Sequence, residues 1–405
     1  MGKARILVTM HYLELGGAEI SLIGLLQALD PERVDVDLFL YDHRGELMEF
    51  IPRWVNVLPP VGAYTVLERP MAEALRRGHP GVVWGRLKAR LRARHDEPVA
   101  ARDDARIFQH IGECVTPHLP RINPGVEYDL AISFLTPHHI VRDRVRARRR
   151  VAWIHTDYST VHIDRRMALA EWGAFDNIVS ISPQVTRTFT ALLPELADRV
   201  VEIENFLSPE FVSQRAREFN ARAEMPGSPV LLSIGRYCEA KNYDNLPDIA
   251  RRLSERIGRD FRWYIIGYGA SDQYIREAID RAAMHRNVIL LGKRTNPYPY
   301  IAAADVYVQP SRYEGKSVTV REAQMLGRPV IVTDYPTARG QITDGVDGLI
   351  VPLDNAACAD ALADALQAPS RLAAVAAHNA SHDFGNLAAA TAVYALLPPL
   401  APRQS

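Results

Sequence analysis

The sequence predicts an α/β protein made of two doubly wound, Rossmann-like domains. A chain of 405 residues is too long for one ordinary hydrophobic core and suits two domains. Short apolar runs alternate along it with stretches long enough for a helix. Near-continuous apolar runs are typical of parallel strands that are buried on both faces. The alternation occurs twice, and it therefore predicts the same architecture twice.

The predicted strands fall into two sets. The first set covers residues 6–10, 36–41, 55–58, 130–134, 151–154, 178–181 and 200–203, and the second covers 230–234, 263–266, 288–291, 306–309, 330–333 and 348–351. Residues 208–229 are polar and end in two prolines, which predicts an interdomain linker. We expect an N-terminal domain over 1–207, a C-terminal domain over 208–382, and a helical tail over 383–405 that packs back on the first domain.

Bulk composition excludes several function classes. Lys plus Arg and Asp plus Glu both number 48, so the net charge is zero, and a nucleic-acid partner is not expected. The three cysteines form no paired motif, which favours a reducing cytoplasm. Neither a signal peptide nor a run of about 20 apolar residues is present, so we expect a cytoplasmic, non-integral protein.

Glycines follow the first predicted strand. Gly16 and Gly17 precede the helical pattern that begins at Ile20. Glycine lets the backbone approach a ligand closely, and the N-terminus of a helix offers N–H donors to an anion. The alternative is a turn between strand and helix that simply requires glycine.

Cations follow the first strand of the second set. Gly235 and Arg236 come directly after that strand, and Lys241 lies five residues further on. Ligands of open α/β sheets bind beyond the carboxyl ends of strands, and both cation types bind phosphate oxygens. The alternative is a pair of solvated surface cations.

Two carboxylates flank a predicted helix start in the second half. Glu314 lies in the loop after predicted strand 306–309, the helix begins near Ser317, and Glu322 lies in its second turn. Carboxylates accept hydrogen bonds from sugar or ribose hydroxyls, and the helix N-terminus can hold a diphosphate. The alternative for Glu322 is an ordinary helix glutamate, although its neighbours are apolar and a buried charge needs partners.

Together these motifs, with Ile266-Gly267-Tyr268-Gly269 and Gly327-Arg328-Pro329-Val330, resemble the retaining glycosyltransferases of family 4. The resemblance implies the GT-B fold, in which two Rossmann-like domains face a cleft. It implies an N-terminal domain that binds the acceptor and a C-terminal domain that binds the nucleotide sugar. The resemblance spans nearly the whole chain and is strongest over residues 230–352.

The resemblance also assigns roles. It implies that Arg236 and Lys241 neutralise the donor diphosphate, that Glu314 contacts sugar hydroxyls, and that Glu322 contacts the ribose. His155 matches the family's cleft histidine, which contacts the transferred sugar near its 6-hydroxyl; without the resemblance, a structural histidine is the better interpretation. The catalytic set is therefore His155, Glu314, Arg236 and Lys241. The remaining donor-binding set is Gly16, Gly17, Gly235, Gly267, Lys293, Arg294, Gly315, Lys316, Ser317, Val318 and Glu322.

Two departures from the family pattern stand out. Gly315-Lys316-Ser317 replaces the usual Gly-Phe-Gly, so that Lys316 faces an acidic sugar, a phosphate or solvent. Asn205-Phe206 replaces Asn-Gly after the last strand of the first domain.

The resemblance implies transfer with retention by same-face attack, in which the leaving phosphate assists deprotonation of the acceptor. Cations and the helix end would stabilise the departing diphosphate, so no metal or other cofactor is expected. Asp35-Val36-Asp37 is similar to a metal-binding Asp-x-Asp motif, but it starts an early strand and is interpreted as structural.

A basic, amphipathic segment covers residues 76–94, where seven cations occur without an acid and Val83, Leu87 and Leu91 recur at helical spacing. This pattern is typical of a helix on an anionic membrane, and a lipid-linked acceptor would account for it. A solvated arginine-rich face is the alternative.

The leading prediction is transfer of a sugar, with UDP as the expected nucleotide carrier, to a glycan, glycolipid or lipid-linked acceptor of cell-surface polysaccharide. The alternatives are a nucleotide-sugar 2-epimerase and a non-catalytic regulator that binds carbohydrate or nucleotide sugar.

Overall fold

The computed structural model describes residues 3–14, 16–96, 104–159 and 161–399. They form two compact units: the first comprises residues up to Leu207 and those from Asn386 onward, and the second comprises Ser208–Gly385. Each unit contains one parallel β-sheet. The prediction of two doubly wound α/β sheets is confirmed.

The sheet of the first unit has seven strands in the order β3-β2-β1-β4-β5-β6-β7. Every neighbouring pair is parallel. The strands are β1 (Ala4–Met10), β2 (Val34–Leu40), β3 (Asn56–Val57), β4 (Tyr128–Ser133), β5 (Ala147–Ile154), β6 (Asn177–Ser180) and β7 (Val200–Glu202).

The helices of the first unit connect these strands. They are α1 (Gly17–Ala28), α2 (Gly62–Thr65), α3 (Met71–Arg76), α4 (Pro80–Ala93), α5 (Arg106–Val115), α6 (His139–Arg144), α7 (Arg165–Trp172) and α8 (Pro183–Leu192). Helix α8 begins with Pro183 after Ser182, whose hydroxyl accepts a hydrogen bond from the backbone N–H of Val185. This is the expected chemistry of a helix start.

The sheet of the second unit has six strands in the order β10-β9-β8-β11-β12-β13, again all parallel. The strands are β8 (Val230–Ile234), β9 (Arg262–Ile266), β10 (Val288–Gly292), β11 (Val306–Gln309), β12 (Val330–Thr333) and β13 (Leu349–Val351). Strands β8, β11 and β12 are buried along their whole length, which explains their apolar sequences.

Helices cover the second sheet. They are α9 (Pro209–Ala216), α10 (Leu246–Ile257), α11 (Asp272–Ala282), α12 (Tyr298–Ala303), α13 (Val318–Met325), α14 (Asn355–Gln367) and α15 (Pro369–Ser381). One core cluster joins Trp263 and Ile331 of the sheet to Leu253 of α10 and Leu362 of α14. Burial of such side chains contributes about 1.5–3 kcal/mol each.

The interpretation of residues 208–229 as a linker is wrong. Residues Pro209–Ala216 form α9, and Phe211, Val212 and Arg215 are buried. The hydroxyl of Ser208 accepts a hydrogen bond from the N–H of Phe211. The polar residues that suggested a linker lie partly in α9, where Arg215 is buried, and partly in the segment and 3₁₀ turn that follow it. The buried apolar residues Phe211 and Val212 anchor the helix.

The C-terminal segment begins with a short 3₁₀ turn and continues as α16 (Ala390–Ala395). The hydroxyl of Tyr394 accepts a hydrogen bond of 2.6 Å from the backbone N–H of Asp30. The guanidinium of Arg33 lies 3.8 Å from the centre of the same ring. Residues from Asn386 therefore belong to the first unit, whereas residues 383–385 remain with the second.

Asp37 of the Asp-x-Asp sequence is buried in the first sheet. Its carboxylate accepts hydrogen bonds of 2.6 Å from the hydroxyl of Tyr128 and from the side-chain amide of Asn56. This carboxylate therefore ties β2 to β3 and β4. Within the described ranges, no helix combines the length and the apolar character needed to cross a bilayer.

Candidate functional site

The strand order places a switch point between β8 and β11 in the second sheet. The chain proceeds to one side from β8 to β9 and β10, and to the other side from β11 to β12 and β13. Ligands of doubly wound sheets bind outside the carboxyl ends of the strands at such a point. The loops that follow β8 and β11 carry seven of the predicted site residues: Gly235, Arg236, Lys241, Glu314, Gly315, Lys316 and Ser317.

An ion pair joins these two loops. Lys241 Nζ lies 2.6 Å from Glu314 Oε1, and the two side chains are 17% and 12% exposed. Lys241 ends a 3₁₀ turn after β8, whereas Glu314 follows β11. The fold thus brings together two residues that are 73 positions apart in the sequence.

A buried polar network holds the carboxylate of Glu314. Its Oε1 atom also accepts hydrogen bonds from Ser311 Oγ at 2.6 Å and from Gln309 Nε2 at 3.1 Å. The hydroxyl of Tyr307 donates either to Gln309 Oε1 or to Thr319 Oγ1, each 2.7 Å away. Gln309 and Ser311 are fully buried. Glu314 is therefore fixed before any ligand binds.

Sequence reasoning did not assign a role to this network. Tyr307 and Gln309 occupy alternate positions in β11, so they point to the same face of the sheet, and Ser311 follows two residues after the strand. Polar side chains at this spacing at the end of an otherwise apolar strand were the signal that could have identified them.

A second ion pair, between Arg312 and Asp244, also joins the two loops. The guanidinium of Arg312 forms two hydrogen bonds to the carboxylate of Asp244, at 2.8 and 2.7 Å. The backbone N–H of Arg312 donates to the carbonyl of Ala240 at 2.8 Å. Paired hydrogen bonds of this kind fix orientation as well as distance. The loops after β8 and β11 are therefore held together by two ion pairs and a backbone hydrogen bond.

Close packing requires glycine at two predicted positions. A Cβ atom on Gly235 would lie 2.7 Å from Cε of Lys241, and one on Gly267 would overlap the carbonyl oxygen of Gly235. The backbone N–H of Gly235 donates to the carbonyl of Ile266 at 3.0 Å. Gly235 thus gives Lys241 the space it occupies, and Gly267 lets the loop after β9 approach that of β8.

Arg236 differs from Lys241 in its surroundings. Its side chain is exposed, and the described part of the chain supplies no ion-pair or hydrogen-bond partner to it. Because Arg236 forms no ion pair within the described chain, its positive charge beside the switch point is available to an anionic ligand.

The remaining predicted donor residues after β10 lie in two neighbourhoods. Lys293 is exposed, and its Nζ atom lies 5.4 Å from the ring centre of Tyr268. Arg294 instead contacts Glu224 at 3.3 Å and lies over the ring of Tyr300. Lys293 is therefore close to the Gly267 turn, whereas Arg294 is engaged with a 3₁₀ turn and α12.

The N-terminus of α13 follows Gly315 and Lys316, which are both half-buried. Ser317 precedes the helix, and its backbone N–H and C=O both bond to the side-chain amide of Gln341, at 3.0 and 2.7 Å. Ser317 is thus occupied by the protein. The next backbone N–H, that of Val318, has no acceptor within the described ranges. It lies at the N-terminus of α13, the end of a helix that stabilises anions.

The hydrogen-bond partner of Glu322 in the described chain is not a member of the Lys241–Glu314 network. Glu322 is buried in α13, and its Oε1 atom accepts a hydrogen bond of 2.8 Å from the hydroxyl of Tyr298. Burial raises the pKa of Glu322 from 4.5 to about 7. The carboxyl group is thus partly neutral at physiological pH, because burial penalises its charged form.

Gly16 and Gly17 lie in the first unit, at the start of α1. Gly16 is the residue before the helix and is extended, with φ −156°. A Cβ atom there would overlap the carboxylate of Glu19, which folds back over the turn. Burial raises the pKa of Glu19. Gly16 therefore leaves room for the carboxylate of Glu19, while Gly17 is exposed.

His155 directly follows β5 in the first unit. Its ring centre lies 4.8 Å from that of Phe134, and Nε2 is buried without a hydrogen-bond partner in the described chain. Burial lowers the pKa of His155 to about 3. The imidazole is therefore neutral at pH 7, and its Nε2 atom can form a hydrogen bond to a ligand.

A comparison with protein families finds a match within the second unit. Residues 228–368 match the family model of glycosyl transferases group 1. The match covers about a third of the chain, and over that segment the chain is similar to this family. The resemblance inferred from the Gly235–Lys241 and Glu314–Glu322 motifs is thereby confirmed.

Two curated relatives match over part of their length. The alpha-D-kanosaminyltransferase of Streptomyces kanamyceticus is 27% identical over 162 residues, which are 38% of this chain and 42% of the relative. N-acetylgalactosamine-N,N'-diacetylbacillosaminyl-diphospho-undecaprenol 4-alpha-N-acetylgalactosaminyltransferase of Campylobacter jejuni is 30% identical over 152 residues, which are 37% of this chain and 40% of that protein. The chain thus matches about two-fifths of each.

Solved structures match nearly the whole chain. HepE of Anabaena, crystallised with UDP and glucose, superposes with a TM-score of 0.66 at 16% identity, covering 97% of this chain and 98% of that one. At this identity the likeness shows the fold, and the predicted GT-B fold is confirmed.

Proposed function

We propose that the protein is a retaining glycosyltransferase that moves a sugar from a nucleotide sugar, with UDP as the carrier, to a glycan, glycolipid or lipid-linked acceptor. One observation carries the proposal: the Lys241–Glu314 pair stands on a buried network at the switch point of the second sheet, within the segment that is similar to group 1 glycosyl transferases. The crystallised HepE complex contains UDP and glucose, which supports the choice of nucleotide.

The proposed reaction places negative charge on a departing nucleoside diphosphate. Arg236 and Lys241, together with the backbone N–H of Val318, would stabilise this charge as the bond to the sugar breaks. Preorganised donors are effective because they need no reorientation during the reaction. Glu314, held by Ser311 and Gln309, would accept hydrogen bonds from the sugar hydroxyls and orient the anomeric carbon.

Retention follows, in this proposal, from attack on the face that the diphosphate leaves. The leaving phosphate oxygen would take the proton of the acceptor hydroxyl, so no separate carboxylate base is required. In the first unit, the neutral His155 would bond to the transferred sugar through Nε2, and Gly16 and Gly17 would approach the diphosphate.

The nucleoside would be held by the other predicted residues. Glu322 would accept a hydrogen bond from the ribose, and Lys293 beside the exposed ring of Tyr268 would contact the base. Cation and ring together form a surface on which a planar base can stack. Gly315 and Lys316 complete the proposed donor-binding loop.

Turnover with and without acceptor tests this function. The purified chain is incubated with UDP-glucose, UDP-N-acetylglucosamine and UDP-galactose, and nucleotide release is followed as candidate acceptors are added. Acceptor-dependent release that disappears in Glu314→Gln and persists in the exposed-helix control Glu277→Gln supports the proposal. Binding without release for every acceptor indicates a regulator instead, and acceptor-independent formation of an epimer indicates an epimerase.

We further propose that transfer needs no metal, because cationic side chains and a helix N-terminus provide the charge. Activity in excess EDTA equal to activity in Mg²⁺ is the expected result. Loss of activity that Mg²⁺ restores would contradict it.

A lipid surface is the proposed setting of the acceptor. Trp84, Leu87 and Leu91 of α4 are 60%, 40% and 54% exposed, and at 3.6 residues per turn they form one outward stripe. Lys88 and Arg90 flank the stripe on opposite sides and are exposed. An apolar stripe between cations is the pattern of a helix that lies in an anionic interface.

A second cluster of arginines lies over residues 142–150, and several of its members form ion pairs or hydrogen bonds within the protein. Arg142 pairs with Asp143 at 2.8 Å, and Arg148 with Asp129 at 3.1 Å. Arg149 donates to the carbonyl of Leu396. This cluster therefore stabilises the first unit, and α4 is the better candidate for a membrane contact.

Co-sedimentation with vesicles tests the membrane contact. Binding to vesicles with 30% phosphatidylglycerol is expected, and Lys88→Gln/Arg90→Gln/Arg94→Gln should weaken it by about 100-fold, since each cation contributes about 1 kcal/mol. The control Arg251→Gln/Arg252→Gln/Arg256→Gln removes the same charge from α10, where each arginine is paired with a carboxylate. Equal losses in both variants, or no loss in the α4 variant, would refute the contact.

A further inference from the structure

A cavity of about 620 Å³ lies within the first unit. Its walls include His11, Tyr41, Thr136 and Thr156, which follow strands β1, β2, β4 and β5. It therefore lies at the carboxyl edge of the sheet, where β1 and β4 form the switch point of this unit. This is the edge at which doubly wound sheets bind ligands, and the volume is that of a small-molecule site.

Apolar side chains form most of the cavity surface. Tyr64 of α2, Ile111 and Val115 of α5, Ile140 of α6 and Trp172 of α7 line it. Four separate helices thus contribute aromatic or branched aliphatic groups to one space. Water gains few hydrogen bonds there, and an apolar ligand would be favoured by the surface it buries.

Most of the charged side chains at the cavity form ion pairs with one another. His11 Nδ1 lies 3.0 Å from Glu68 Oε1, and Arg44 lies 3.3 Å from the other oxygen of Glu68. Arg69 pairs with Asp42 at 3.0 Å. Arg86 also lines the cavity and donates to the carbonyl of Arg69 instead of to a carboxylate. The lining carries three arginines and three carboxylates in all, so its charges balance and it does not select a strongly ionic ligand. These side chains can orient a neutral polar group, such as a hydroxyl.

Helix α4 connects this cavity to the proposed lipid-facing surface. Arg86 of α4 and Phe108 of α5 line the cavity, and Phe108 is 67% exposed. Trp84 and Leu87, on either side of Arg86 in the sequence, point to solvent. The apolar lining and the apolar stripe therefore belong to the same pair of packed helices.

We propose that this cavity binds a hydrocarbon chain, acyl or isoprenyl, that the acceptor carries next to the hydroxyl to be glycosylated. The inference rests on the proposed function, because it names the substrate class of that reaction. The chain occupies the space between α2, α5, α6 and α7, and the polar end of the acceptor lies near His11 and Glu68.

Calorimetric titration of the full chain with alkyl glucosides tests the proposal directly. The probes are hexyl, heptyl and octyl β-D-glucoside below their micelle concentrations, with glucose and phenyl β-D-glucoside for comparison and no nucleotide sugar present. Each added methylene should tighten binding by up to about fourfold. Glucose should not bind, and phenyl glucoside should bind more weakly than octyl glucoside.

Filling the cavity should abolish the dependence on chain length. Ala105 lines the cavity at the start of α5, so Ala105→Trp places an indole in it, and Thr65→Trp fills it from α2 as an independent variant. Ala72→Trp is the matched control, because Ala72 is exposed on α3 and the added indole lies outside. Melting temperatures identify any variant that does not fold.

Four results would overturn the proposal: no binding of octyl glucoside, affinity independent of chain length, tighter binding of phenyl glucoside, or equal binding by the filled variants. The test is separate from that of the proposed function. Transfer activity without alkyl binding refutes only the cavity, and alkyl binding without any acceptor-dependent transfer refutes only the transferase.

Discussion

Replacement of Glu322 by glutamine should stabilise the protein at alkaline pH and leave it unchanged in acid. The carboxyl group is buried in α13 beside the hydroxyl of Tyr298, and burial raises its pKa from 4.5 to about 7. A glutamine side chain has the same shape and keeps an oxygen that accepts the hydrogen bond from Tyr298. It carries no charge to be desolvated.

The sign of the effect follows from proton binding. Between pH 4.5 and about 7, the folded protein holds a proton on Glu322 that the unfolded chain has released. Stability therefore falls as pH rises through this window and is constant above it. The two pKa values correspond to a loss of about 3 kcal/mol at pH 8, and Glu322→Gln should recover about that amount.

Urea denaturation of the wild type and the variant at pH 4.5, 6 and 8 measures this difference. The unfolding free energies should coincide at pH 4.5 and diverge to about 3 kcal/mol at pH 8. Glu277→Gln, on an exposed face of α11, is the control and should leave the pH profile unchanged. Parallel profiles for wild type and Glu322→Gln would show that Glu322 is ionised in the folded protein at neutral pH and would refute the reasoning.

Three further predictions concern the loops at the switch point. Arg236→Gln should leave the melting temperature unchanged, because the side chain is exposed, and should weaken UDP binding about 10- to 100-fold in calorimetry; unchanged affinity would contradict its role. Gly267→Ala should lower the unfolding free energy by more than about 2 kcal/mol in urea, since its Cβ would overlap the carbonyl of Gly235; a wild-type midpoint would disprove this packing. Gln309→Leu removes a donor to Glu314 and should lower kcat about 10-fold or more with KM for the nucleotide sugar nearly unchanged, whereas a change confined to KM would indicate a binding role instead.

The fold could be predicted from the sequence because a parallel strand that is buried on both faces has a nearly continuous run of apolar residues. Each predicted strand has its counterpart, including the short edge strand Leu349–Val351. The segment 208–229 could not be predicted in the same way. Its helix α9 buries two apolar residues, Phe211 and Val212, together with Arg215, and this burial depends on contacts with distant residues.

The candidate site was partly predictable, for a related reason. Residue types at strand ends pointed to Lys241 and Glu314, but their ion pair depends on the adjacency of β8 and β11, which the chain order does not reveal. The burial of Glu322 against Tyr298 likewise depends on how α12 packs beside α13. Residue spacing in the sequence therefore could not predict which distant segments pair, or the pKa values that depend on those pairings.

The two units use the same topology for different chemistry. In the first unit the loop after β1 contacts the loop after β4 through His11 Nε2 and the carbonyl of Thr136, 2.5 Å apart. In the second, Lys241 and Glu314 connect the loops after β8 and β11. Strand order places the two loops side by side in both units, so the side chains decide what each edge binds. Paired charges beside an apolar space favour a neutral, hydrocarbon-bearing ligand, whereas the free charge of Arg236 favours an anion. Under the proposed function, the exposed cation of Arg236, which forms no ion pair in the described chain, favours binding of the anionic donor at the edge of the second sheet.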